Sequence, residues 1–216
     1  DAQHNLGFMY DEGKGVSQNH ETAVKWYRLA AEQGYADAQF NLGFMYENGR
    51  GVPQDSETAV NWYTLAANRG NAAAQNNLGV MYDKGDGVPQ DYITGLKWYR
   101  LAANQGHAYS QSNLGLMYDE GRGVPQNHKT AVKWYTLAAT QGIASAQTNL
   151  GAIYYFGQGV LSDNIYAHMW SNIAELQGEK SAIKIRKMVE MRMTPIQIKE
   201  AQKLAHACIR KNYKGC

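Results

Sequence analysis

Residues 36–70 read ADAQFNLGFMYENGRGVPQDSETAVNWYTLAANRG and contain two segments with helical periodicity. In the first segment, apolar residues recur at the spacing of one helix face, at Ala38, Leu42, Met45 and Tyr46. We expect Gly49 to end this helix in the left-handed conformation. We expect Asp55 to cap the second helix, which extends to about Asn68. The segment therefore predicts a helical hairpin.

The same pattern recurs along the whole chain with a period of 36 residues. Tryptophan occurs only at Trp26, Trp62, Trp98, Trp134 and Trp170. A Leu-Gly pair and a Gly-x-Gly-Val motif recur five times each with that period. Because one hairpin cannot bury its apolar stripe alone, we expect the hairpins to stack around a continuous core. Gly43 lies in mid-helix, where glycine costs about 1 kcal/mol relative to alanine, so it predicts a close approach of two helices.

These residues resemble the Sel-one-like repeat (SLR) family, which is related to the tetratricopeptide repeats. The motif is Ala-x-x-x-Leu-Gly-x-x-Tyr-x-x-Gly-x-Gly-Val followed by Ala-x-x-Trp-Tyr-x-x-Ala-Ala-x-x-Gly. The resemblance implies an all-α fold, a right-handed α/α superhelical solenoid of five 36-residue helix-turn-helix repeats. It also implies that the first helices line a concave groove that binds a protein or peptide. Because many family members are bacterial and exported, we expect export in preference to a cytoplasmic location.

The chain is expected to have two parts, five repeats in residues 1–178 and capping helices with a basic tail in residues 179–216. The first repeat is truncated at its start, so we interpret the chain as a processed form or a piece of a longer one. Thr194 and Gln197 predict a capping box around Pro195 at the start of the last helix. The basic tail carries ten Lys/Arg and three Asp/Glu residues.

Three positions of the fifth repeat change from polar to apolar residues, at Ile165, Met169 and Leu176. We expect the helices of 179–192 and 195–211 to cover these side chains and close the solenoid. Cys208 lies on the apolar stripe of the last helix. It either forms a disulfide with Cys216 or remains a buried free thiol.

The variable positions of the first helices are the candidate binding surface. In residues 36–48 these positions are 37, 40, 44 and 47, which lie on one helical stripe. In the first repeat the stripe begins at Asp1. Its apolar members are the predicted contacts to a partner: Phe8, Phe40, Phe44, Val80, Tyr109 and Leu116. The alternative is that the phenylalanines pack against the first helix of the next repeat.

An asparagine precedes the Leu-Gly pair in every repeat, which adds Asn5, Asn41, Asn77 and Asn113 to the candidate contacts. In some tetratricopeptide proteins, an asparagine at the matching position holds the main chain or terminal carboxylate of the ligand. A side-chain amide suits this role because it both donates and accepts hydrogen bonds. The alternative is a hydrogen bond within the scaffold. Charges on the stripe are mostly acidic, so we do not expect an acidic C-terminus as the ligand.

Several kinds of chemistry are not expected. The net charge of +2 argues against a nucleic-acid-binding protein, and no apolar run is long enough to span a membrane. The histidines lack the spacing of a helical metal site, and we expect no cofactor. The pairs Ser181/Lys184 and Ser162/Asn164 match motif elements of penicillin-recognising enzymes, but their order is reversed and Lys-Thr-Gly is missing.

The sequence therefore predicts a non-enzymatic adaptor that binds a protein or an extended peptide in a concave groove, and we expect a monomer. One alternative is a structural or envelope-assembly component that uses the convex face or the basic cap. A more remote alternative is a protein active on β-lactams or peptidoglycan.

Overall fold

The structure is a computed structural model that describes residues 2–216. Asp1, the first position of the predicted binding stripe, lies outside the described residues. Within residues 2–216 there are twelve α-helices and no strand: α1 (Ala2–Glu12), α2 (His20–Glu32), α3 (Ala36–Asn48), α4 (Ser56–Asn68), α5 (Ala72–Lys84), α6 (Tyr92–Asn104), α7 (Ala108–Glu120), α8 (His128–Ala139), α9 (Ala144–Phe156), α10 (Asn164–Leu176), α11 (Lys180–Glu190) and α12 (Pro195–Arg210). The predicted all-α class is confirmed.

Each hairpin is shaped by short-range interactions that the sequence predicts. Gly49 follows α3 with φ of 65°, a left-handed conformation that lets its N–H bond the carbonyl of Met45. The N–H of Asp55 then donates to the carbonyl of Tyr46 at 2.9 Å, which closes the turn. The Asp55 carboxylate accepts from the N–H of Thr58 at 3.0 Å and caps α4. The predicted hairpin of residues 36–70 is confirmed.

The chain divides into two compact units, Asp1–His107 and Ala108–Cys216. In the first unit, α1 pairs with α2, α3 with α4, and α5 with α6, and successive hairpins meet through α2 with α3 and α4 with α5. Tyr27, Tyr63 and Tyr99 are buried in its core. The side-chain amide of Gln39 donates to the carbonyl of Ala31 at 3.0 Å and so ties one hairpin to the next.

In the second unit, α7 pairs with α8 and α9 with α10, while α11 and α12 both pack on α10. Thr194 and Gln197 form the predicted capping box at the start of α12. Met169 is buried in a cluster that includes Ala205 and Cys208 of α12, so its predicted covering is confirmed. The expectation for Leu176 is wrong: it is 59% exposed, because it occupies the last turn of α10.

The last helix is tied to the end of the chain. The Sγ atoms of Cys208 and Cys216 are bonded at 2.02 Å, which is one of the two states left open from the sequence. Tyr213 packs against the buried cluster of this unit, with its ring beside Gly142 in the turn after α8. The residues that follow α12 are therefore held against the repeats.

Candidate functional site

The variable first-helix residues of the first unit form what we call the first-helix surface, made of Phe8, Phe40, Phe44 and Val80 with Asn5, Asn41 and Asn77. These residues lie on α1, α3 and α5. Phe8 is 41% exposed, whereas Val80 is half-buried. The surface thus offers at least one large apolar side chain to solvent.

Phe40 and Phe44 have a second role in the packing between hairpins. Both are half-buried and rest on the buried cluster that contains Tyr63 and Leu78. The ring centres of Phe40 and Tyr63 lie 5.7 Å apart with a tilt of 35°. The packing role that the sequence left open is therefore present, and both side chains remain partly exposed.

Two cations flank the phenylalanines of this surface. Lys14 Nζ lies 4.5 Å from the centre of the Phe8 ring. The guanidinium carbon of Arg50 lies 5.8 Å from the centre of the Phe44 ring. Such contacts contribute about 0.5–1 kcal/mol at exposed sites, so they favour these ring orientations only weakly.

The three asparagines of the surface differ in their surroundings. Asn41 Nδ2 lies 2.9 Å from Nε2 of His4, and Asn77 Nδ2 donates to the Tyr63 hydroxyl at 3.0 Å. These are hydrogen bonds within the scaffold, the alternative weighed from the sequence. Asn5 is exposed. Asn5 is therefore the member whose amide is best placed to meet a ligand.

Acidic residues at the end of the stripe have partners within the scaffold. Asp11 is 8% exposed, and its Oδ1 lies 2.9 Å from His20 Nδ1 and 3.0 Å from Arg50 Nη2. Glu47 Oε2 accepts a hydrogen bond from the Tyr63 hydroxyl at 2.5 Å. Burial raises the pKa of the Tyr63 hydroxyl, and the bond to Glu47 raises that pKa further. These carboxylates hold the scaffold together and are not free ligand contacts.

A cleft of about 170 Å³ lies at the other end of the first-helix surface, among His4, Tyr35, Ala36 and Asp37. Asp37 is exposed, and its Oδ1 accepts from Asn71 Nδ2 at 2.9 Å. Tyr35 is 47% exposed in the turn before α3. Sequence reasoning missed Tyr35 because it considered only helical positions. The variability of this position could have identified it, since the matching residues of the later repeats are Asn71, His107, Ile143 and Glu179.

The second unit carries its own candidate residues on α7. Tyr109 is 63% exposed, and Asn113 is half-buried. Leu116 packs against the buried cluster of this unit. In the fifth repeat the stripe is closed, because Tyr155 is buried beside Val189 of α11 with the Arg192 guanidinium 4.2 Å from its ring centre. Among the stripe residues of this unit, the exposed aromatic is therefore Tyr109, in the fourth repeat.

The residues that matched penicillin-recognising motifs have local structural partners. Asp163 caps α10 by accepting from the N–H groups of Ile165 and Tyr166. Ser162 Oγ donates to the carbonyl of Tyr155 at 3.3 Å, and Ser181 Oγ donates to Glu179 at 2.7 Å. These contacts are those of helix termini.

The described residues form neither a cluster of metal ligands nor a membrane-spanning helix. Residues 2–216 contain no group of three or more His, Cys, Asp or Glu side chains arranged to hold a metal ion. None of the twelve described helices has the length and apolar character needed to cross a membrane.

Comparison with known proteins gives a consistent result. The family model described as Sel1 repeat matches residues 1–35, 36–71, 72–107, 108–143 and 144–179. The structure of a Sel1 repeat protein from Oxalobacter formigenes is 35% identical, with a TM-score of 0.83, and the match covers 94% of this chain and 84% of that one. None of the curated proteins matches the chain.

Two further solved structures are more distant. The protein c5321, a protective antigen present in uropathogenic Escherichia coli strains that displays an SLR fold, is 26% identical with a TM-score of 0.55; the match covers 98% of this chain and 62% of that one. The immunity protein Pa5087 from Pseudomonas aeruginosa is 19% identical with a TM-score of 0.57 over 99% of this chain and 84% of that one. This last likeness shows the fold alone.

Proposed function

We propose that this chain, which belongs to the Sel1 repeat family, is a non-enzymatic adaptor that binds a protein or an extended peptide on its first-helix surface. Its fold is the α-solenoid of five such repeats. Sel1 repeat proteins generally mediate protein–protein interactions, and their scaffold is typically non-catalytic. The proposal adds the surface that is used and the chemistry of the ligand.

One observation carries the proposal: the aromatic side chains of the repeats divide into a buried set on the second helices and a more accessible set on the first helices. The tyrosines that follow the tryptophan in the second helices of the first four repeats, such as Tyr27 and Tyr63, are at most 2% exposed. Phe8 on α1 is 41% exposed at a position where the third to fifth repeats carry Val80, Leu116 and Ala152. An exposed aromatic that the core does not require is typical of a binding surface.

The ligand that suits this surface is an apolar segment with a basic residue. Phe8 with the outer sides of Phe40 and Phe44 would contact the apolar part. Exposed Asp37, in the cleft beside Tyr35, would attract a lysine or arginine. Complete burial of a phenylalanine contributes roughly 1.5–3 kcal/mol, so these rings alone support weak binding. Hydrogen bonds between the ligand and the Asn5 amide, and donation by the ligand to the Asp37 carboxylate, would add to it.

The test begins with a random 12-residue peptide library displayed on phage and selected on the full chain. Selected peptides are synthesised, and their dissociation constants are measured by calorimetry. Phe8→Ala should weaken binding by about tenfold, as expected for loss of one anchor worth about 1.4 kcal/mol. Asp37→Asn should weaken those selected peptides that carry Lys or Arg.

The matched control is Phe156→Ala. Phe156 is 58% exposed at the end of α9 and lies outside the variable stripe. Its removal changes the same surface chemistry elsewhere and should leave the affinity unchanged. The proposal fails if Phe8→Ala binds every selected peptide as tightly as the unmodified chain, or if both alanine variants lose affinity equally.

A further inference from the structure

A second surface lies on α2, which is not part of the first-helix surface. A groove of about 480 Å³ runs along this helix. Val24, Leu29 and Val52 form its apolar floor, and Glu21, Lys25 and Arg28 surround it. Its volume is within the range of about 300–1,000 Å³ that binding pockets occupy.

The exposed leucine of this groove belongs to a register that recurs through the chain. Leu29, Leu65, Leu101 and Leu137 occupy the same position of their second helices and are 44–49% exposed. The matching residue of the fifth repeat is Ile173, which is 0% exposed. One copy of this apolar position is therefore fully covered, whereas four copies are not.

The packing around Ile173 shows which kind of structural element can cover this position of a second helix. Ile173 belongs to a buried cluster with Ala205 and Cys208 of α12, a helix that packs on α10. The stripe of α12 that faces the cluster is apolar, whereas Lys199 and Lys203 are exposed. An amphipathic helix is thus the natural cover for the outer register of a second helix in this protein.

The residues around Ile173 and Leu29 differ in polarity, and this difference distinguishes a permanent contact from a reversible one. Where the fifth repeat has Ile165 and Met169, the first repeat has Glu21 and Lys25. Apolar residues are suited to a position where a helix stays permanently packed. Charged residues allow the groove to remain exposed to water when no partner is bound. Arg28 adds a second cation at the rim, where its Nη2 donates to the Tyr46 hydroxyl at 2.7 Å.

We propose that the α2 groove docks an amphipathic helix of a partner protein, in the manner in which α12 docks on α10. The apolar stripe of that helix contacts Val24, Leu29 and Val52. Acidic residues on its flank pair with Lys25 and Arg28, which gives the contact its specificity. This inference does not depend on the function proposed for the first-helix surface.

The probe is a fluorescent synthetic peptide with the sequence of residues 194–211, carrying Lys199→Glu, Lys203→Glu and Cys208→Ala. Binding to the full chain is followed by fluorescence anisotropy. We expect saturable binding that Leu29→Glu weakens by at least about tenfold. The matched control is Leu65→Glu, which has the same register and 47% exposure on α4 and should leave the affinity within about twofold.

Exchanging charges between the peptide and the groove tests whether Lys25 and Arg28 select an acidic partner. The peptide that keeps Lys199 and Lys203 should bind the unmodified chain more weakly than the acidic peptide. The double variant Lys25→Glu/Arg28→Glu should reverse that preference. Circular dichroism and thermal melting establish that each variant is folded, and Leu29→Gln replaces Leu29→Glu if the latter is not.

Three results would overturn the proposal. These are a lack of saturable binding at millimolar peptide, equal weakening by Leu29→Glu and Leu65→Glu, and a preference between peptides that the double variant does not reverse. Sedimentation of the chain alone tests whether a second copy of the chain binds in the groove. A dimer that Leu29→Glu dissociates would identify a second copy of the chain in the groove and would also reject the partner helix.

Discussion

A Cβ atom on Gly43 would lie 2.8 Å from Cδ1 of Tyr63. The Tyr63 ring is fully buried between α3 and α4, so it has no room to retreat. The same relation holds between Gly79 and Tyr99, where the distance is 2.5 Å. In the first four repeats the Leu-Gly glycine is therefore required by the tyrosine that follows the tryptophan in the second helix, which gives the close approach predicted from the sequence its physical cause.

Gly43→Ala should destabilise the protein. Overpacking a buried site typically costs about 1–3 kcal/mol, and the gain of about 1 kcal/mol in helix propensity offsets only part of it. The matched control is Gly95→Ala, since the other four repeats carry alanine at that position. A Cβ on Gly95 would lie 3.1 Å from the carbonyl oxygen of Gly79, a tighter contact than most but longer than the 2.8 Å at Gly43, so that variant should lose less stability than Gly43→Ala. Urea denaturation measures both, and a stabilised Gly43→Ala would contradict the steric explanation.

Phe40→Ala and Phe8→Ala should differ in stability. Phe40 is half-buried against Tyr63, so its truncation should cost about 2 kcal/mol, below the 3–5 kcal/mol of a fully buried phenylalanine. Phe8 is 41% exposed, and its truncation should change the free energy of unfolding by about 0.5 kcal/mol or less. Chemical denaturation distinguishes them. Equal losses would mean that Phe8 also serves the core.

Ile173→Ala should be far more damaging than Leu137→Ala, although the two residues occupy one register in neighbouring repeats. Ile173 is fully buried under α12, and such truncations cost about 2–5 kcal/mol. Leu137 is 47% exposed and should lose about 1 kcal/mol or less. Thermal and urea unfolding give the comparison. A similar loss in both would show that α12 does not cover this register in solution.

Stability should fall as the pH drops below about 6.5, the ordinary pKa of histidine. Burial lowers the pKa of His168, although Glu190 opposes this through Oε1 at 3.1 Å from His168 Nε2. The unfolded chain then binds a proton more readily than the folded chain, so acid favours unfolding. The stability that neutral His168 contributes is fully present above the ordinary histidine pKa. It is lost as the pH falls through the lowered pKa of the folded protein.

The measurement is the urea midpoint at pH 5, 6, 7 and 8. His168→Gln should lower stability at every pH and reduce the difference between pH 7 and pH 5. Burial also lowers the pKa of His107, so His107→Asn is measured in parallel to separate the two histidines. An unchanged difference in His168→Gln would remove His168 from this explanation.

Interactions that span a few residues could be predicted in detail. The left-handed Gly49 and the Asp55 cap depend on neighbours within one turn. The capping box of Thr194 and Gln197 is equally local. For such features the residue type and the spacing contain the whole interaction, and the period of 36 residues repeats it through the chain.

Side chains on helix surfaces were harder to assign. Asn41 and Asn77 occupy one position of the motif, yet Asn41 contacts His4 and Asn77 contacts Tyr63. Leu176 was expected to be covered and is exposed. Each outcome depends on a residue from another helix, and a helical pattern identifies the face of a residue without identifying its neighbour.

The sequence by itself determined that the chain forms repeated helical hairpins, because a period of 36 residues, helix caps and turn glycines act over short distances. Only the tertiary structure decided which apolar surfaces stay open. Leu29 and Ile173 share a register, but Ile173 is buried in the cluster that α12 completes on α10, whereas Leu29 is 44% exposed. Burial is a property of pairs of helices, and no single helix specifies it.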